Sequence, residues 1–225
     1  TGQPALMQCF TIMRLVAIIV CLLPSFACAD EWWSWTMLDL WRRPPWSGGL
    51  FLGNRLDFDE GAYVQIASPR LRYQALSWLE AGVGLSLLSI ENGAIQDRYW
   101  QFRPELELNP KLDITRQIRL EWRNRMEWRM NEGDSFRSSR TRHRLQLAWM
   151  FPNATGRLTR AFVSNEWLVD LHRGAWTENR LVPLGLTWKL THQSDLDLFY
   201  MVLSRHDANG WRGEPVIGTF LRMRF

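Results

Sequence analysis

The densest chemistry in the chain is a run of alternating charge. Residues 118–130 read Ile-Arg-Leu-Glu-Trp-Arg-Asn-Arg-Met-Glu-Trp-Arg-Met, so Arg119, Glu121, Arg123, Arg125, Glu127 and Arg129 take every odd position. Arg103, Glu105 and Glu107 precede the run at the same spacing, and Arg140, Arg142 and Arg144 follow it. Two neighbouring carboxylates can divide acid and base roles when their surroundings push their pKa values apart. Rows of guanidinium groups can bind carboxylate or phosphate through a planar fork. Here each carboxylate is outnumbered by arginines, and an adjacent cation holds a carboxylate ionised. Mutual salt bridging is therefore expected in place of proton transfer, with Glu121 and Glu127 set between two basic walls.

Other chemistries find little material. The four histidines, at 143, 172, 192 and 206, are scattered, and no His-Glu-x-x-His pair, Gly-x-Ser-x-Gly elbow or phosphate loop occurs. All three cysteines lie at 9, 21 and 28, leaving the rest of the chain without a thiol nucleophile or a Cys-based metal site. No metal, no cofactor and no enzymatic activity are expected. One alternative is a lipid hydrolase acting on the outer wall through His143, which falls on an apolar strand face; the plainer reading is a histidine at headgroup level. The balance of 27 basic against 23 acidic residues lacks the clustered basic face that nucleic acid requires. All the basic residues except Lys111 and Lys189 are arginine, the side chain suited to desolvated, paired positions.

Positioning such rows requires strands. Even positions of the 118–130 run are apolar apart from Asn124, and a helix would spread both sets around its circumference. The same period of two sets Arg55 and Asp57 against Leu56 and Phe58, and Ser164 and Glu166 against Val163, Trp167 and Val169. In residues 178–191 Arg180 falls off the parity of its neighbours, which a bulge near Pro183 would reconcile. Eleven strand candidates follow, near 33–42, 49–59, 63–74, 78–90, 98–108, 116–130, 137–151, 159–171, 179–191, 195–205 and 214–225. Short turns are expected at 109–111, 152–156 and 192–194, on the periplasmic side. Longer polar loops are expected outside, at 91–97, 131–136, 173–179 and 205–214. Bacterial single-chain barrels have even strand numbers with both ends on one side. That predicts ten strands from Leu50 onward, or twelve, with residues 32–41 as a partial strand, an insert or half of a hairpin.

Aromatic placement decides between a soluble sheet and a membrane barrel. The chain has 14 tryptophans. Trp122, Trp128, Trp149, Trp167 and Trp188 fall on apolar strand faces, most of them toward strand ends, as an interfacial belt requires. The charged faces then line one lumen: Arg55, Asp57, Arg103, Glu105 and Glu107, the odd positions from Arg119 to Arg129, Arg140 to Arg144 at even positions, and Glu166. The predicted fold is all-β, an antiparallel up-and-down transmembrane β-barrel. Beyond residue 29 no apolar stretch is long enough for a membrane helix.

The first 29 residues differ in kind. Met13-Arg14, the apolar run Leu15 to Leu23 and Ala27-Cys28-Ala29 predict a secretory signal peptide cleaved after Ala29. Residues 1–12 then precede the expected start, and 30–225 form the barrel. Phe225 lies on the apolar parity of Ile217, Leu221 and Met223 and is expected to serve as the insertion signal.

A family resemblance rests on these residues. The run Arg119-x-Glu121-x-Arg123-x-Arg125-x-x-x-Arg129, then Arg140-x-Arg142-x-Arg144, resembles the uncharacterised bacterial family named domain of unknown function 2490. Trp35, Arg103-x-Glu105, Glu166 and the closing Phe225 extend the resemblance over about residues 32–225, and the Arg180 parity break departs from it. The resemblance implies an outer-membrane barrel and no known activity. The sequence therefore predicts a Gram-negative outer-membrane protein with a lumen filled by arginine and glutamate. It is expected to be monomeric, with membrane lipids and the barrel-insertion machinery as partners, and structural or binding through its loops. A narrow channel for small anionic solutes is the alternative.

Overall fold

The computed structural model describes residues 29–92, 97–133, 137–151 and 157–225. The leader before Ala29, the turn expected at 152–156 and the centres of two expected loops, 93–96 and 134–136, lie outside the described residues.

The chain is a closed barrel of eleven strands: β1 (Glu31–Arg43), β2 (Trp46–Asp57), β3 (Gly61–Leu76), β4 (Leu79–Asn92), β5 (Asp97–Asp113), β6 (Ile118–Asn131), β7 (Arg137–Met150), β8 (Leu158–Asp170), β9 (Ala175–Lys189), β10 (Ser194–Asp207) and β11 (Gly210–Arg224). Each pairs with its sequence neighbours in antiparallel fashion. The seam is the exception: β1 meets β11 in parallel, from Glu31 opposite Val216 to Asp39 opposite Arg224. The count therefore differs from the ten or twelve of an even-numbered barrel. With antiparallel neighbours throughout, an odd count makes the first and last strands parallel, and their parallel pairing satisfies both edges, so residues 32–41 form a complete stave of the barrel. An odd number also places Asp30 and Phe225 at opposite rims, here called the N-terminal and C-terminal rims.

The alternation predicted from sequence fixes which way each strand faces. Leu85, Leu87, Leu106, Leu108, Leu147 and Val163 lie on the exposed outer surface. Ser86, Arg103, Glu105, Arg125 and Glu166 lie within. Apolar residues outside and charges inside invert the pattern of a soluble sheet and match that of a barrel in lipid. The break at Arg180 is a bulge at Pro183. Val182 pairs with Ser164 while Gly185 pairs with Phe162, so β9 carries one extra residue there. Arg180 and Thr187 consequently both face inward although their parities differ.

Connections are short at both rims. The chain turns at 44–45, 77–78, 114–117 and 190–193 at one rim, and at 58–60, 171–174 and 208–209 at the other. Most of the loops expected at 173–179 and 205–214 are strand. Turn-forming residues such as Gly210, at φ +109°, produce tight hairpins there.

Aromatic rings lie over glycines inside the barrel. Phe199 is opposite Gly218 on β11 and Gly185 on β9. A Cβ on Gly218 would overlap the Phe199 ring, and one on Gly185 the Phe162 ring. Gly218→Val is expected to lower barrel stability by about 1–3 kcal/mol, the usual cost of overpacking. Denaturant titration in lipid vesicles measures this, and an unchanged midpoint would show that the ring has another place to go.

Candidate functional site

The inward charges form an interleaved lattice across β3 to β9. At its centre Glu127, with no accessible surface, accepts from Arg140 Nε at 2.6 Å and Arg142 Nη1 at 2.9 Å. Arg103 and Arg125 each approach it to 3.5 Å. Glu105 pairs with Arg70 at 3.0 Å and Arg125 at 3.1 Å, and accepts from the Ser86 hydroxyl at 2.6 Å. Glu107 pairs with Arg70 at 2.8 Å and accepts from Arg125 Nε at 2.6 Å. Glu166 is shared by Arg123 at 2.6 Å, Arg142 at 2.9 Å and Arg180 at 3.4 Å. Buried ions persist only when paired and hydrogen-bonded, and the alternation on adjacent strands supplies these carboxylates with arginine partners.

Three of the residues predicted to line the lumen, Asp57, Arg119 and Glu121, are placed differently from the rest. Asp57 caps the turn after β2, accepting the backbone N–H groups of Asp59 and Glu60 at 2.8 and 3.0 Å; the hairpin claims its oxygen. Arg119 pairs with Asp113 at 2.6 Å on the exposed C-terminal rim. Glu121, also near that rim, accepts from Gln146 at 3.0 Å and lies 4.0 Å from Arg160. It is not enclosed by two basic walls, and Glu127 holds that place. Arg55 lies inside, its guanidinium carbon 3.9 Å from the ring centroid of Trp33. Arg129 pairs with Asp170 at 2.9 Å toward the N-terminal rim.

Several lattice members escaped sequence reading. Arg70 and Arg72 alternate with Leu71 and Tyr73, Asp197 with Leu196 and Leu198, and Arg222 with Leu221 and Met223; the same parity test finds them all. No parity signal marks the opposite wall. There Trp35 and Met37 on β1, Phe199 and Met201 on β10 and Phe220 on β11 pack inward, while their outward neighbours are also largely apolar.

Among the described residues the barrel interior is tightly packed toward the N-terminal rim and hollow toward the C-terminal rim. Trp33, Leu168, Leu203 and Val216 have no accessible surface in the N-terminal half. Above them Glu31 accepts from Trp33 Nε1 at 2.5 Å, from the Tyr63 hydroxyl and from Arg205 at 3.4 Å. From mid-barrel to the C-terminal rim lies a cavity of about 440 Å³, lined on one side by arginines and on the other by the aromatic wall. Formed by the described residues, the interior is therefore a cup with its mouth at the C-terminal rim.

On the outer surface Trp149 and Trp188 lie near the C-terminal rim, Trp128 and Trp167 near the N-terminal rim, and Trp122 further in. Exposed Trp41, Trp46 and Trp78 extend the first group, and Trp100, Trp176 and Trp211 the second. His143 lies at mid-strand, not at headgroup level, with Nδ1 2.8 Å from Asn124 Oδ1. Phe225 is 70% exposed, and its backbone N–H donates to the Asp39 carbonyl at 3.0 Å.

Comparison with known proteins gives a family-model match over residues 32–214, to a model described as "Protein of unknown function (DUF2490)". No curated protein matches the chain. Among solved structures, an anion-selective porin from Comamonas acidovorans is similar over 79% of this chain and 55% of the porin, with 13% identity and a TM-score of 0.40. The chain thus spans about half the length of that porin.

Proposed function

We propose a function from the premise that this chain belongs to DUF2490, a family of unknown function: it is an integral barrel of the Gram-negative outer membrane with a sealed-end cup inside, and not a through-pore. The observation that carries this reading is the complete burial of Trp33, Leu168, Leu203 and Val216 across one half of the lumen. Side chains fill barrels of about eight strands and barrels of about 16–18 strands leave an aqueous channel; eleven strands lie nearer the filled end.

Placement in the outer membrane is supported by the apolar exterior, by tryptophans gathered at both rims, and by strands of 12 to 17 residues. Roughly 9–11 tilted residues suffice to cross the hydrocarbon. The partners are then outer-membrane lipids and the insertion machinery. A closed barrel has no free strand edge, which suits a monomer. The tight hairpins described at the N-terminal rim give external binding loops little length, and the mid-strand position of His143 sets aside the reading of it as a headgroup-level histidine. Binding inside the cup replaces binding through loops as the reading the geometry supports best.

Cell fractionation tests the location. The protein is expected in the outer-membrane fraction, with heat-modifiable mobility in detergent gels. Recovery as a soluble periplasmic protein would contradict the proposal.

A further inference from the structure

The charges lining the cup do not balance. Asp197 serves two guanidinium groups, Arg222 at 2.6 Å and Arg160 at 3.4 Å. Glu166 serves three, those of Arg123, Arg142 and Arg180. Arg144 stands opposite Arg123 on one side and Glu166 on the other, and Glu166 is already committed. Among the described residues no carboxylate lies within ion-pair distance of Arg144. Its Nε and that of Arg123 are buried without a hydrogen-bond partner. An enclosed guanidinium with no carboxylate in direct contact is costly, and an anion entering from the mouth of the cup would relieve it.

The facing wall says what kind of anion. Trp35, Phe199 and Phe220 line the same cavity as Arg144 and Arg123. The two walls touch where the guanidinium carbon of Arg222 lies 4.5 Å from the Phe220 ring centroid and that of Arg160 lies 5.1 Å from the Phe162 centroid. An inorganic anion would leave the aromatic wall unused, and an apolar solute would leave Arg144 unpaired. The cavity volume of about 440 Å³ falls in the usual range of small-molecule sites, roughly 300–1,000 Å³.

We propose that the cup binds an apolar monocarboxylate, of the aromatic-acid or fatty-acid class. Its carboxylate is held by Arg144 and Arg123, and its apolar body lies against Trp35, Phe199 and Phe220. The planar guanidinium fork matches a carboxylate in bidentate geometry, and the ring faces supply a flat apolar surface. The proposal rests on the cup reading but not on sealing as such, since a site of this kind would also work in a conducting barrel.

Calorimetric titration of the folded barrel in lipid nanodiscs tests it, with 2-naphthoate as the probe and 2-naphthalenemethanol and inorganic phosphate as comparison arms. Naphthoate is expected to bind saturably, and both comparison compounds to bind at least about tenfold more weakly, the loss typical of one charge-assisted contact. Arg144→Gln and Phe220→Ala, each checked for folding by heat-modifiable mobility, are expected to weaken naphthoate by a similar factor. Absence of saturable binding overturns the proposal, and so does equal binding of the neutral alcohol. Phosphate binding as tightly as naphthoate overturns the part played by the aromatic wall. The parent-protein arms decide even if a variant fails to fold. A barrel that conducts ions yet binds naphthoate would refute the sealed end alone; a sealed barrel that binds nothing would refute only the ligand.

Discussion

Glu127→Ala is expected to destabilise the barrel by about 3–5 kcal/mol, the cost of removing one partner from a buried ion pair. Four guanidinium groups converge on this carboxylate, those of Arg140, Arg142, Arg103 and Arg125, at 2.6 to 3.5 Å. Its removal leaves Arg103 of β5 and Arg140 of β7 without a carboxylate partner, beside Arg125 and Arg142, which keep Glu105 and Glu166. Glu105 and Glu166 cannot compensate, because Arg70, Arg123 and Arg180 already occupy them. Glu121→Ala is the matched control on the same strand. Glu121 lies at the wetter rim, with Arg160 no nearer than 4.0 Å, so its loss is expected to cost under about 1 kcal/mol, as for solvent-accessible pairs. Urea titrations of both variants folded into lipid vesicles give the comparison. Equal losses would mean that the lattice has no centre at Glu127.

Leu106→Arg is expected to cost about 2–4 kcal/mol, as for a cation placed on the lipid face near the bilayer midplane. Leu106 is exposed on the outer wall at the middle of β5, between Val83 and Met126 on the flanking strands. Leu120→Arg, near the C-terminal rim, is expected to cost only about 0–1 kcal/mol, because the arginine reaches the interface. Leu106→Ala should cost less than Leu106→Arg, since fluid lipid fills the space a packed core could not. If Leu106→Arg were harmless, this face would meet water and the membrane reading would fail.

The two halves of the barrel were unequally legible in the sequence. On β5 to β8 each strand has one charged and one apolar face, so parity identifies the strand, its orientation and its lattice residues together. Glu105, Arg125, Glu127, Arg142 and Glu166 could therefore be named without coordinates. On β1 both faces are apolar or aromatic: Trp33, Trp35 and Met37 point inward while Trp32 and Leu38 point outward. A period of two carries no information when both classes are apolar, so the segment reads equally as a partial strand, an insert or half of a hairpin, and the aromatic wall was invisible with it. The seam was hidden for a different reason. Nothing in local sequence distinguishes a parallel closure from an antiparallel one, and the rule of even strand numbers displaced a correct count of eleven candidates.

Depth along the barrel was also beyond reach of alternation. Parity says that Arg119, Glu121 and Asp57 share the inward side with Glu127. It does not say that the first two stand at a rim or that Asp57 caps a hairpin, because depth depends on where each turn begins. Polar composition extended the predicted loops too far, since Glu178 and Arg205 serve inside the barrel, pairing with Arg180 and Glu31. Conversely, the parity break at Arg180 was a correct signal of irregular backbone. Pro183 has no N–H to donate, and the bulge beside it brings Arg180 to Glu166.

Single-channel recording in planar bilayers tests the sealed cup most directly. The parent barrel is expected to insert without discrete current steps, because Trp33, Leu168, Leu203 and Val216 are fully buried in the N-terminal half of the lumen. The double variant Trp33→Ala and Leu203→Ala, which removes two of these side chains, is expected to show steps. Regular, reproducible steps from the parent protein would contradict the account and make the lumen a pore.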